Sequence, residues 1–315
     1  GGWRPVHLVA LISTLENSQM KKTLIAMAAV AVAGVASAQV TITGAAAARF
    51  ETATTAGGTE SKGFYMSDSA IKFSASEDLG GGLTASASFG LDAMTVNNAT
   101  TAANTGSALT VAAAGMGSVT VSNVESGDYL PIDLVTTSLF SNGQTTDRVT
   151  FKSAAIMGAT ITVTYSDGNS GADYGVGQTS MVYELDYATG PFAVNIGQYN
   201  VDKLNNANTD GGTRYKVSYD AGVAKVTYGR VETADNSAVK RTETGASITA
   251  PLGGLTVGAN SVSSKTGTLA SISGTSFTAS YALSKRTALA FEQVNYGGGT
   301  NVNPERTRLT LTHTF

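Results

Sequence analysis

Apolar and polar residues take turns along most of this chain with a period of two. In "LTASASFGLD" (83–92), Leu83, Ala85, Ala87, Phe89 and Leu91 share one face, and Thr84, Ser86, Ser88, Gly90 and Asp92 share the other. "ATITVTYSD" (159–167) sets Ile161, Val163 and Tyr165 against Thr160, Thr162 and Thr164. "TRYKVSYD" does the same with Tyr215, Val217 and Tyr219 against Arg214, Lys216 and Ser218. The closing "RTRLTLTHTF" lines up Leu309, Leu311, His313 and Phe315. Successive side chains on a strand point to opposite faces, so this pattern predicts strands with one apolar and one wet face.

The connections are of two kinds, and they alternate. Short ones marked by Gly or Pro fall at 78–82, 115–117, 157–158, 188–191, 220–222 and 251–254, with Ser284-Lys285-Arg286 as the exception. Longer polar loops are expected near 51–67, 93–106, 126–146, 168–177, 201–211, 233–238, 265–271 and 297–305. Seven turns and eight loops make fifteen connections and sixteen strands. A soluble all-β protein would hide its apolar faces in a shared core of bulky aliphatics, whereas here one face of nearly every strand is modestly apolar and the other carries Thr, Ser, Lys, Arg or Glu. That arrangement suits a sixteen-stranded antiparallel transmembrane β-barrel, apolar outside and wet within, with short turns at one end and long loops at the other. No repeat beyond the hairpin rhythm is visible, and 39–315 reads as one domain.

Composition narrows the chemistry. Only 14% of the residues are charged, against about 25% in soluble domains, and 36 are Gly. With no Cys there is no disulfide, thiolate metal site or Cys nucleophile. The two histidines are His7 and His313, so neither a Ser-His-Asp triad nor a histidine metal site is expected. Catalytic residues, cofactors and metals are not expected. The basic residues form no patch, so no nucleic-acid partner is expected either.

Residues 20–38, "MKKTLIAMAAVAVAGVASA", combine a basic start, a short apolar run and a small-x-small end. These are the parts of a secretory signal peptide, with cleavage expected after Ala38. Residues 1–19 are expected to be an upstream extension and carry no fold signal. Residues 39–315 hold 17 basic and 22 acidic side chains, a net charge of −5, which leans toward weak cation preference.

The leader, the start "QVTITG", the internal "SAIKFSASEDLGGGLTASASFGLD" and the terminal "LTHTF" together resemble the general diffusion porins of Gram-negative outer membranes. The resemblance spans essentially all of 39–315. It implies a sixteen-stranded barrel, a homotrimer, outer-membrane lipid and lipopolysaccharide as surroundings, and passive diffusion of small polar solutes and ions. It also implies that the third external loop folds into the lumen and narrows the pore. A terminal aromatic such as Phe315 resembles the signal read by the barrel-assembly machinery.

If the chain is a barrel, parity says which side chains line the pore. Leu309, Leu311, His313 and Phe315 face lipid, so Arg306 and Arg308 face the lumen. Val40, Ile42 and Phe50 face out and Arg49 faces in; Ile71 and Phe73 face out and Lys72 faces in. Closure makes the last strand a neighbour of the first, so Arg49, Lys72 and Arg308 are expected at a similar mid-wall height. Arg306 and Arg148 extend this basic wall. Loop 126–146 is the third external loop, and its Asp128 and Asp133 are expected across the pore, where opposed charges would make a selective constriction. The Pro-Glu-Phe loop motif of enterobacterial members is absent from it.

Other features are weaker. Asp167-Gly-Asn169 lacks the spaced carboxylates of a calcium loop, and Tyr165, Tyr183, Tyr187, Tyr215 and Tyr219 read as interfacial girdle residues. An outer-membrane structural or adhesin barrel with a plugged lumen is the alternative function. An outer-membrane enzyme and a solute-specific channel are further ones.

Overall fold

The alternating segments become sixteen strands. The computed structural model describes residues 39–55, 57–92, 103–127, 144–167, 179–202, 211–234, 239–297 and 305–315. The strands are β1 (Gln39–Thr54), β2 (Glu60–Gly80), β3 (Leu83–Asp92), β4 (Ala103–Ala113), β5 (Gly117–Gly127), β6 (Gln144–Ser153), β7 (Ala159–Asp167) and β8 (Thr179–Thr189). They continue as β9 (Phe192–Asp202), β10 (Gly211–Asp220), β11 (Lys225–Ala234), β12 (Lys240–Leu252), β13 (Leu255–Thr266), β14 (Ile272–Ala282), β15 (Thr287–Gly297) and β16 (Glu305–Thr314). Each pairs antiparallel with its neighbours in sequence, and β1 pairs with β16, closing the barrel.

Closure matters because a sheet edge in hydrocarbon would leave backbone groups unpaired, at several kcal/mol each. The seam is finished by the chain terminus. Gly44 N donates to Phe315 O at 3.0 Å, and Phe315 N donates to Gly44 O at 3.0 Å. Gly44 faces outward, and the Phe315 ring lies where its Cβ would be.

The predicted parity holds in the register. Val40, Ile42, Phe50, Phe89, Leu109, Val121, Ile161, Tyr183, Ile196, Tyr215, Tyr228, Phe277, Leu309 and Leu311 are large exposed apolar side chains on the outer wall. Between them the chain turns Thr, Ser and charged residues inward. Luminal neighbours interlock in hydroxyl ladders, such as Thr110 with Thr120 at 2.8 Å and Thr150 with Thr164 at 3.1 Å. Among the described residues the buried apolar cluster is small, comprising Val182, Tyr199 and Val201 on β8 and β9.

One loop expectation is corrected. The segment 51–67 is mostly strand: β1 runs to Thr54 and β2 starts at Glu60, with a register shift at Ala47/Ala48. Both strands extend past the apolar band, and there outward Thr52, Thr54, Glu60 and Lys62 replace apolar residues. Alternation, the signal used to find strands, is lost while the ladder continues.

Candidate functional site: the charged lumen wall

The inward residues of β15, β16, β1 and β2 form one connected network. Register places Glu51 opposite Arg308, Ala53 opposite Arg306 and Arg49 opposite Thr310. It also places Glu292 opposite Arg308. Residues directly opposite on one face of a sheet lie within about 5 Å at Cβ, so long charged side chains there meet. Arg308 Nε donates to Glu51 Oε2 at 2.5 Å, and its Nη1 lies 3.6 Å from Glu292 Oε2. Arg306 Nη2 lies 3.6 Å from Glu292 Oε1. Tyr65 OH donates to Glu51 Oε2 at 3.0 Å, and Arg49 Nε donates to Thr310 Oγ1 at 3.2 Å. Arg306, Arg308, Glu51 and Glu292 are each about one-fifth exposed, open to the lumen but held in place.

The structure therefore brings Arg49, Arg306 and Arg308 together and adds two acids between them. Lys72 stands apart. It lies opposite Thr43, six residues along β1 from Arg49, about 20 Å of strand. The expected common height is corrected: pairing in a tilted, staggered barrel, not distance from a turn, decides which side chains meet. Lys72 sits in a hydroxyl-lined recess with Thr41, Ser74, Ser76, Ser86, Ser88 and Thr110. Arg148 faces the lumen on β6, opposite Ser122 and Ser166, well away from the seam. Asp128 and Asp133 lie outside the described residues.

A second network lines β8, β9 and β10. Glu184 on β8 and Arg214 on β10 both stand opposite Gly197 of the strand between them. With no side chain at Gly197, the two reach across β9 and form an ion pair. Arg214 Nε also donates to Asn195 Oδ1 at 2.8 Å, and Asn195 Nδ2 donates to Asp186 Oδ1 at 2.6 Å. Arg214 is buried, at 4% exposure. In a ring of sixteen strands, β8 and β9 lie across from β16 and β1. The two networks therefore stand on opposite walls of the lumen.

Sequence reasoning missed Glu51, Tyr65 and Asn195 as members of these networks. Glu51 shares the inward parity of Arg49 two residues earlier, but it fell in the segment assigned to a loop. His313 faces outward and pairs with Thr287, their Nδ1 and Oγ1 being 2.9 Å apart.

A closed sixteen-stranded barrel with an apolar outer wall and a charged, hydroxyl-lined lumen is a transmembrane channel of the outer-membrane type. The family model for Gram-negative porins matches residues 24–301, and the chain belongs to that family. Its fold is shared with the anion-selective porin from Comamonas acidovorans (17% identity, 89% of this chain and 100% of that chain, TM-score 0.70). Similar coverage is found with Salmonella typhi OmpF in complex with daunomycin (14%, 88% and 98%, 0.70). A loop-deletion mutant of OmpT, an outer membrane protein of Vibrio cholerae, also matches (13%, 88% and 99%, 0.65). Among curated proteins none matches the chain. The protein is thus an outer-membrane porin of the Gram-negative type, forming a water-filled channel.

Proposed function

We propose that solutes cross this channel by passive diffusion, without catalysis, and that ion preference is set by the two facing networks. The observation that carries this is Arg308 held between Glu51 and Glu292 on the open lumen wall. On β15 to β3, above the turn-bearing rim, inward Arg49, Lys72, Arg306 and Arg308 are matched by inward Glu51, Asp68, Asp92 and Glu292. Such a wall discriminates weakly between small anions and cations, because each basic group has an acid on the same wall. Loop 126–146 completes the constriction in this proposal, with Asp128 and Asp133 facing Arg49 and Arg308. Loop order and length support that placement.

Reversal potentials in planar bilayers under a salt gradient test the assignment. Glu51→Gln with Glu292→Gln should shift the channel toward anions, and Arg49→Ala with Arg308→Ala toward cations. Unchanged potentials in both would refute it.

Three further parts belong to the proposal. Residues 20–38 serve as the export leader after an extension at 1–19, and Phe315 is read by the assembly machinery. The barrel forms a homotrimer among outer-membrane lipid and lipopolysaccharide. The small outward side chains Ala46 and Ala48 on β1, Ala75 on β2 and Ala85 and Ala87 on β3 support a close subunit contact there, since small residues let backbones approach.

A further inference from the structure

On β11 to β13 and β16 the outer wall sets an upper border for the membrane, and it comes early. On β13 the outward run Leu255, Val257, Ala259 gives way to Ser261, Ser263 and Lys265; on β12, Ala250, Ile248 and Ala246 give way to Thr244, Thr242 and Lys240. On β16, Leu311 and Leu309 give way to Thr307 and Glu305. On β11, Val226 and Tyr228 are followed by Arg230 and Glu232, which pair with each other on the exposed outer surface. With outward Leu252 added on β12, three to four outward positions span about 13–20 Å of strand, or about 10–15 Å of height at a tilt near 40°. Side-chain reach extends this to about 15–20 Å, while the apolar band of such barrels is about 25 Å tall. The missing height cannot come from above, where the charges stand.

It can come from below. Between the strands, the second to sixth short connections contain no polar side chain. They read Ala114-Gly115-Met116, Ala154-Ala155-Ile156-Met157-Gly158, Gly190-Pro191, Ala221-Gly222-Val223-Ala224 and Gly253-Gly254. Turns in water draw heavily on Asn, Asp and Ser. Here Met157 is 95% exposed, Val223 76%, Met116 70% and Ile156 69%. Met157 also has φ 51°, the one positive value at a non-glycine among the described residues. Gly or Asn would occupy that conformation more cheaply, so the position retains a large apolar side chain despite backbone strain. Ala154 N donates to Met116 O at 3.1 Å, which ties the second and third turns into one patch. That patch continues into outward Val119, Phe151 and Ile161 of the lipid-facing wall. Charge at this end lies off the outward face of these turns: at the fifth turn Asp220 and Lys225 stand on the inward face, where Asp220 Oδ1 accepts from Gly222 N at 2.8 Å; Glu77 lies outward beside the first turn, and Lys285 and Arg286 form the seventh.

We infer that these turns are a lipid-contact surface: the rim from the second to the sixth turn is immersed in the inner-leaflet interface and completes the apolar band from below. The occupant is lipid because the patch is continuous with the lipid-facing wall and makes good the height that wall lacks. Immersion by about 5–10 Å into the headgroup–acyl boundary is typical of amphipathic surfaces. Lys285 and Arg286 then stand at the level of lipid phosphates.

Trp3 is the single tryptophan of the sequence, so Trp3→Phe gives a background for single-tryptophan reporters. Met157→Trp and Val223→Trp are compared with Leu309→Trp on the lipid-facing wall and Leu269→Trp in the exposed turn between β13 and β14. The probe is phosphatidylcholine vesicles with brominated acyl chains, holding only the purified protein. Met157→Trp and Val223→Trp should be quenched nearly as much as Leu309→Trp, with blue-shifted emission. If both instead match Leu269→Trp, quenched by aqueous acrylamide and spared by bromolipid, the inference is overturned. A rim that docks a soluble protein would give that second result, since no partner is present. Unaltered single-channel conductance verifies folding, and Met116→Trp replaces either reporter that fails to insert. Quenching of Leu309→Trp separately tests the placement of the wall in the membrane.

Discussion

Gly44→Ala tests how the barrel closes. A Cβ at this position would fall 2.2 Å from Phe315 Cζ, 2.7 Å from Phe315 Cε2 and 2.7 Å from Ala70 O. Carbon atoms in ordinary contact sit about 3.5–4.0 Å apart, so the ring must withdraw by more than about 1 Å. The Ala70 carbonyl belongs to the β1–β2 ladder and has no such freedom. A displaced ring would meet lipid, which is as apolar as the glycine face it left, so no water-transfer term enters. What remains is overpacking, about 1–3 kcal/mol, plus up to about 1 kcal/mol for each weakened bond between Gly44 and Phe315. We expect a loss of about 2 kcal/mol, and more for Gly44→Val. The assay is the urea unfolding midpoint of vesicle-inserted protein, with m held constant. A double-mutant cycle isolates the cause: in a Phe315→Ala background, Gly44→Ala should cost about 1 kcal/mol less, since only the Ala70 contact is left. Strictly additive losses, or no loss at Gly44→Ala, would refute the ring-on-glycine closure.

Two other outcomes follow from the lumen. Gly197→Leu should force Glu184 and Arg214 apart and strand a buried guanidinium, costing about 3 kcal/mol in the same unfolding assay; an unchanged midpoint would show that the pair does not depend on the gap at Gly197. Lys72→Ala should shift the bilayer reversal potential less than Arg308→Ala. Lys72 lies about 20 Å along the strand from the Arg49 level, roughly two Debye lengths at 0.1 M salt, and equal shifts would contradict the height assigned from register.

Much of the fold was legible because the bilayer imposes a strict code. Every spanning strand must alternate, and Leu309, Leu311, Arg306 and Arg308 took their predicted sides for that reason. The code ends where the membrane ends. At Thr52, Thr54, Glu60 and Lys62 both faces are wet, so β1 and β2 read as a loop. Glu51 was lost with them, and with it the acid that Arg308 grips. Height around the wall was not legible either, because stagger between strands is a property of the closed barrel and leaves no local mark. That is why Lys72 seemed level with Arg49 although its partner is Thr43. The Arg214 site depended on Gly197, an absence of side chain that the strand pattern reads as neutral.

The charges also show why net charge is a poor guide to this pore. Residues 39–315 carry −5, yet above the rim nine basic side chains described here face inward: Arg49, Lys72, Arg148, Lys152, Arg214, Lys216, Arg241, Arg306 and Arg308. Seven acids face them, namely Glu51, Asp68, Asp92, Glu184, Asp186, Glu243 and Glu292. Part of the acid excess stands outside, at Glu60, Glu77, Asp147, Asp167 and Glu305. An ion in the lumen responds to charges within about a Debye length, about 8 Å at physiological salt, and so to the Glu51–Arg308–Glu292 and Glu184–Arg214 groups before the outer surface. Because these groups are paired within each wall, deleting one member leaves its partner's full charge facing the pore. Single neutralisations on the paired walls should therefore move selectivity more than larger changes of charge on the outer surface.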